Sequence, residues 1–297
     1  MAQNNIACYY NDKENYSEAV KWYREASEQG LSVSKYNLGL CYHDGKGVSK
    51  NKLKAWEYIK NAADKGFAPA EYAVGYNYFR GNDMVAGDYT EAFQWFKIAA
   101  ENDNIKSQFY LGLCYEYGYG VDKNNYEAYK WYYKAALQDS PVAQTRVGCC
   151  YYYGNGVTKN YNEAVKWFNK AVEKDDDLGQ YMLGLCYFYG NGVSLNYKEA
   201  FKWFELSAKQ NNAYALNKIG FMYENAQGVK KDNKKAFSYF LQSANLGYAT
   251  AQYNVGWCYE NGKGVTTNKR EAINWYKKSA EQGYENAKTS LRRLGVY

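Results

Sequence analysis

Few side chains in this 297-residue chain could carry covalent, proton or metal chemistry. His43 is the sole histidine. Cys149 and Cys150 are adjacent, but no C-x2-C spacing occurs anywhere, so a metal–thiolate site has no paired ligands and none is expected. No Ser or Cys stands in a local pattern with a base. Neither enzymatic activity nor a cofactor is expected. Loops such as Gly118-Tyr-Gly120 have the composition of phosphate cradles, yet they recur between helical segments and read as turns. Asp175, Asp176 and Asp177 offer three carboxylates without EF-hand spacing. They read as a solvated loop ending a second helix, where acidic groups oppose the dipole. What the chain has in quantity is aromatic surface, with 36 tyrosines, 12 phenylalanines and 8 tryptophans. That composition points to recognition rather than reaction.

The elements that must position these rings repeat. In Tyr181–Ala208, Leu183, Cys186 and Tyr187 share one helical face beside Gly184. Gly184 lets another backbone come close. Gly190-Asn-Gly192-Val193 turns the chain. Asn196 caps a second helix with Glu199 placed for a capping box, and Ala200, Trp203, Phe204, Ser207 and Ala208 form its apolar stripe. The glycine recurs at Gly39, Gly75, Gly112, Gly148, Gly184, Gly220 and Gly256, with tyrosine three residues on each time. The cap is Asn15, Asn51, Asp88, Asn124, Asn160, Asn196, Asp232 and Asn268. Neither helix can bury its face alone, so the pairs must stack. Residues 1–30 are a truncated first unit, 31–282 hold seven full pairs, and 283–297 read as a capping helix on a single 1–297 solenoid domain. The second copy has an irregular loop, Arg80 to Asp88, and the sixth is read with Asn225 in place of the first loop glycine.

The pattern A-x3-L-G-x2-Y-x2-G-x-G-V, followed by N-x2-E-A-x2-W-[YF]-x2-A-A, resembles the Sel-one-like repeat, a subfamily of the tetratricopeptide-type α/α solenoids. The resemblance covers nearly the whole chain. It implies an all-α fold, a right-handed superhelix of helix pairs about 36 residues long, and a scaffold or adaptor role. It also implies a concave face lined by the first helices. By that analogy three positions per first helix point inward. Three before the glycine stand Tyr36, Tyr72, Phe109, Tyr181 and Tyr253. One after it stand Tyr76, Phe221 and Trp257. Four after it stand Phe79, Tyr152, Phe188, Glu224 and Glu260. These thirteen are the expected partner contacts. The expected function is non-enzymatic protein binding, with a peptide or helix of a partner stacked on the aromatics. Glu224 and Glu260 would favour a basic partner residue. Glycan binding on the same rings is one alternative. Single-stranded nucleic acid is another, ranked last because Lys106 is the only evident groove cation.

Formal charge is +6, and Lys21, Lys130, Lys166, Lys202, Lys234 and Lys277 fall on second helices, which reads as a solvated outer face. Cys41, Cys114, Cys150, Cys186 and Cys258 all occupy the slot two residues after the glycine, and Cys8 fits it too. They read as small core residues kept reduced. The start MAQNNIACYY is polar and no apolar run is long enough to span a bilayer. A cytoplasmic chain, not bound to membrane, is therefore the expectation.

Overall fold

The Asn or Asp before each second helix organises the local structure. Each accepts, through its side chain, a backbone N–H from the first turn of the helix it opens. In the computed structural model, which describes residues 1–82 and 85–296, seventeen helices and no strand are present among the described residues. Asp83 and Met84 of the irregular second loop, and Tyr297, lie outside the described residues.

The chain divides into two compact units, residues 1–139 and 140–297. The first holds α1 (Ala2–Asp12), α2 (Tyr16–Glu28), α3 (Ser32–Asp44), α4 (Lys52–Ala63), α5 (Ala68–Arg80), α6 (Tyr89–Glu101), α7 (Ile105–Tyr117) and α8 (Asn125–Leu137). The second holds α9 (Pro141–Tyr153), α10 (Tyr161–Val172), α11 (Asp177–Tyr189), α12 (Tyr197–Lys209), α13 (Ala213–Asn225), α14 (Asn233–Asn245), α15 (Ala249–Asn261), α16 (Lys269–Glu281) and α17 (Glu285–Arg293). Odd-numbered helices are the first of each pair. Within a unit, each odd helix packs on its own even partner and on the even helix before it. This is an all-α, α/α solenoid of repeated helix–turn–helix pairs.

The recurrent glycine admits a ring in most copies, and at Gly39, Gly220 and Gly256 a carbonyl oxygen of the even helix also comes close. A Cβ on Gly148 would stand 2.5 Å from the Phe168 ring, and one on Gly184 would stand 2.6 Å from Phe204. Phe168 and Phe204 are fully buried, and Ala200 and Cys186 lie in the same cluster as both. The second loop glycine has a different task. At Gly192 a Cβ would lie 2.5 Å from the carbonyl oxygen of Tyr161, the first residue of the preceding even helix. The loop thus rests on the neighbouring repeat, which ties turn sequence to stacking.

Three local expectations are corrected. Glu at the third position of the even helices does not complete a capping box. The cap's own N–H is taken by the carbonyl of the recurrent tyrosine, as from Asn196 to Tyr187 at 2.9 Å. Glu163 and Glu199 instead pair with Lys166 and Lys202 on the exposed face, at 2.6 and 2.5 Å. The three aspartates do not end α10. Asp175 makes the turn at positive φ, and Asp176 is the buried N-cap of α11, accepting from Gly179 N at 2.8 Å and from Thr145 Oγ1 at 2.7 Å. There its charge favours the helix dipole. The first loop glycine of the sixth copy is replaced by Ala226, at φ 56, while Asn225 is the last residue of α13. Pro69 and Pro141 lie in the first turns of α5 and α9, where a missing N–H costs nothing.

Candidate functional site

The position four after the glycine is governed by the ring it meets on the even helix. In three copies that ring is phenylalanine and the residue is an aromatic packed on it. Phe79 meets Phe96, Tyr152 meets Phe168 and Phe188 meets Phe204, with centroids 6.0–6.4 Å apart. Where the ring is tyrosine, the residue is glutamate and accepts the phenol. Tyr132 donates to Glu116 at 2.5 Å, and Tyr276 donates to Glu260 at 2.7 Å. Glu224 faces Phe240 in this register and has neither a hydrogen bond nor an ion pair among the described residues. Burial pushes its carboxyl above the usual range, opposed by Lys263 and Lys231.

This pairing places several expected contact residues in the core. Tyr152 and Phe188 are only 8% and 6% exposed and belong to the main cluster of the second unit. The Tyr152 hydroxyl is engaged by Asn191 Nδ2 at 2.8 Å, and burial pushes its pKa up to about 12. Glu260 carries an ion pair with Arg293 at 2.6 Å besides its phenol, so its charge is met within the chain.

In the first unit the expected residues are half-buried, and all but Tyr36 are joined by one ring that the inward register omits. Tyr110, two before its glycine, contacts Tyr72, Tyr76, Phe79 and Phe109 at 5.5–5.9 Å. Tyr36 packs on Phe67 at 5.4 Å. Lys106 lies over the Tyr72 ring at 5.6 Å. Burial raises the pKa of Tyr72 and Tyr110, so these phenols stay neutral.

In the second unit α9 and α11 touch directly, and an aromatic surface spreads over the odd helices. Phe221 is 40% exposed, with its ring 6.3 Å from Phe188 beneath it. Tyr181 is half-buried between Phe204 and Tyr214, at 5.7 and 5.8 Å. Tyr253 leans on Tyr276 and Tyr284, and the half-buried Trp257 packs on the clusters either side of it. The most exposed rings, Tyr153 at 55% and Tyr189 at 52%, stand five after the glycine and were not among the expected contacts. Lys218, two before Gly220, was also missed. Its ammonium lies 5.1, 5.3 and 5.8 Å from the Phe188, Tyr189 and Phe221 rings.

His43 is exposed and its Nδ1 contacts Asp44 at 2.8 Å. Among the described residues no group of three His, Cys, Asp or Glu converges to hold a metal ion. The cysteines are thiols, and burial pushes Cys114, Cys186 and Cys258 up to about 12. No helix among the described residues is long and apolar enough to cross a membrane.

Stacked helix pairs with aromatic first-helix faces define a helical-repeat solenoid of the recognition class. The chain belongs to the Sel1 repeat family, which matches residues 1–31, 32–67, 68–104, 105–140, 141–176, 177–212, 213–248 and 249–284. Proteins of this family generally mediate protein–protein interaction and are generally non-enzymatic. Among solved structures, c5321, a protective antigen of uropathogenic Escherichia coli with an SLR fold, is 32% identical with a TM-score of 0.73, covering 93% of this chain and 59% of that one. A Sel1 repeat protein from Oxalobacter formigenes is 26% identical with a TM-score of 0.71, covering 93% of this chain and 80% of that one. Rattus norvegicus DAP3-binding cell death enhancer 1 is 28% identical over 147 residues, which are 37% of this chain and 28% of that protein. The ERAD-associated E3 ubiquitin-protein ligase component HRD3B of Arabidopsis thaliana is 31% identical over 99 residues, 33% of this chain and 15% of that protein. The matches therefore span less than a third of these curated relatives.

Proposed function

We propose that the chain is a scaffold or adaptor that holds a peptide or helix of a protein partner on the aromatic face of its first helices, chiefly in the second unit. The observation that carries this reading is the exposure of Tyr153, Tyr189 and Phe221 on α9, α11 and α13 above buried rings. Solvent-facing rings seated on a packed base lose little conformational freedom when a partner covers them, which is the character of interface anchors. Tyr181, Tyr253 and Trp257 border this surface and complete it. Tyr36, Tyr72, Tyr76, Phe79 and Phe109 would form a corresponding surface in the first unit. Tyr152 and Phe188 act beneath the face, as its support. Glu224 offers an acceptor to a donor on the partner, whereas Glu260 is already matched by Arg293. Relatives whose names speak of DAP3 binding and of a ubiquitin-ligase component accord with a partner-holding role. The reduced thiols fit a cytoplasmic setting, where we place the chain.

Affinity capture from a lysate with quantitative mass spectrometry tests the reading. Phe221→Ala and Trp257→Ala should deplete the captured partner several-fold, with thermal midpoints held within a few degrees. Lys166→Ala and Lys202→Ala on the outer face should leave capture unchanged. Loss of the partner with the lysine variants alone would put the site on the other face.

A further inference from the structure

Two lysines of the even helices in the second unit, Lys166 and Lys202, have acidic partners in Glu163 and Glu199. Lys218 is placed differently. It lies on an odd helix, half-buried, with three rings around its ammonium and no carboxylate within ion-pair distance among the described residues. Its one hydrogen bond goes to the Tyr189 hydroxyl, at 3.1 Å. The acid on its own helix, Glu224, interacts with Lys263 and Lys231 instead. An ammonium has three N–H donors, so further donors of Lys218 remain for a ligand. The Tyr189 hydroxyl accepts from Lys218 and keeps its own proton to donate. An oxygen seated beside Nζ can therefore receive two hydrogen bonds, one from each residue. Both come from side chains held by ring contacts, so little ordering is required on binding.

We propose that Lys218 and Tyr189 form a carboxylate-binding subsite for an aspartate or glutamate side chain of the partner, with an apolar or aromatic partner residue beside it on Phe221. The inference rests on the aromatic-face reading above and adds the charge of what docks there. Charge complementarity selects an acidic segment, because the cation at the centre of this apolar surface is unneutralised. The acid is internal to the segment. Exposed rings precede Lys218 in repeat order at Tyr153 and Tyr189, and half-buried Tyr253 and Trp257 follow it, so the bound chain has surface to cover on both sides.

The test is selection from a phage-displayed random dodecapeptide library on the full chain, followed by binding of the selected synthetic peptides by fluorescence anisotropy. The wild-type chain should enrich peptides with Asp or Glu next to Phe, Trp or Leu. Changing that acid to its amide should weaken binding about tenfold. Lys218→Met should bind the acidic and amide peptides equally, and Tyr189→Phe should recover part of the difference. Circular dichroism and thermal midpoints should match wild type, since both substitutions suit a helix. Affinity of wild type for the acidic peptide should fall from about 0.05 to about 0.5 M salt, and that of Lys218→Met should not. Enrichment of apolar peptides without acid preference, lost in Phe221→Ala, overturns the subsite and leaves the aromatic-face reading standing. Selected peptides indifferent to Phe221→Ala, Tyr189→Ala and Lys218→Met overturn both. A preference for amidated over free C-termini leaves the side-chain assignment intact, and the reverse overturns it. Lys218-dependent binding of an oligouridylate probe with no acidic peptide selected also overturns it.

Discussion

Phe240→Tyr should stabilise the second unit, because it supplies the hydroxyl that Glu224 lacks. Tyr132 and Glu116, like Tyr276 and Glu260, are sixteen positions apart, and their phenol–carboxylate bonds measure 2.5 and 2.7 Å. Phe240 and Glu224 have the same separation, and Phe240 presents its ring edge to Gly220 as Tyr276 does to Gly256. The slot therefore accepts a tyrosine in two other copies. A hydrogen bond to a charged acceptor contributes about 1.5–3 kcal/mol net, and partial exposure of Glu224 reduces this to about 1–2 kcal/mol. At about 2–4 °C per kcal/mol for a unit of this size, the midpoint should rise by roughly 2–8 °C at neutral pH. The pH dependence gives a second readout. The Glu224 carboxyl is raised by burial in the folded chain, so its contribution is complete below its unfolded pKa and is lost as pH rises through the folded value. The new hydroxyl favours the ionised form and lowers the folded value. The advantage of the variant should therefore be small near about pH 4 and grow toward about pH 7. Thermal unfolding across that range, with Glu224→Gln and the double variant to close the cycle, isolates the pair. A variant no more stable than wild type at pH 7, or an advantage that survives in the Glu224→Gln background, would refute the register rule.

Three further outcomes are expected. Gly148→Leu should cost about 3 kcal/mol or more, since even its Cβ would overlap the Phe168 ring; an unchanged urea midpoint would contradict that contact. Ala226→Gly should gain about 0.5–1 kcal/mol by relieving a left-handed alanine, and a loss in the same unfolding assay would show that another interaction holds the turn. In alkylation at pH 8 followed by mass spectrometry, the half-buried Cys8 and Cys149 should label first. The buried Cys114, Cys186 and Cys258, with pKa values pushed up to about 12, should wait for unfolding, and equal rates at all seven would contradict their burial.

The helix pairs were legible because each boundary has a local cause: Asn or Asp at the cap, a glycine pair in the turn, and a stripe of small and aromatic residues on the even helix. Asp176 was misassigned although the same register holds Asn104 and Asn212, both of which cap odd helices. Position within the repeat was the signal, and residue type alone misled. The site was less legible. Choosing three inward positions by analogy treats every copy alike, whereas the partner ring decides whether position four after the glycine is covered. That pairing, an aromatic on Phe96, Phe168 and Phe204 and a glutamate on Tyr132 and Tyr276, joins residues sixteen or seventeen apart and emerges only when the two helices are set side by side. Tyr110 and Lys218 share a register position two before the glycine, and Tyr153 and Tyr189 share another five after it. Neither position belonged to the assumed inward set, and their residue types change between copies, so the repeat pattern does not mark them.

Site-specific photocrosslinking tests the central claim most directly. A benzophenone side chain would replace Phe221 on the aromatic face in one protein and Lys202 on the outer face in another, with irradiation in a lysate. The account predicts a discrete crosslinked partner band from position 221, competed by excess unmodified chain, and none from position 202. A competed band from 202 with none from 221 would contradict it.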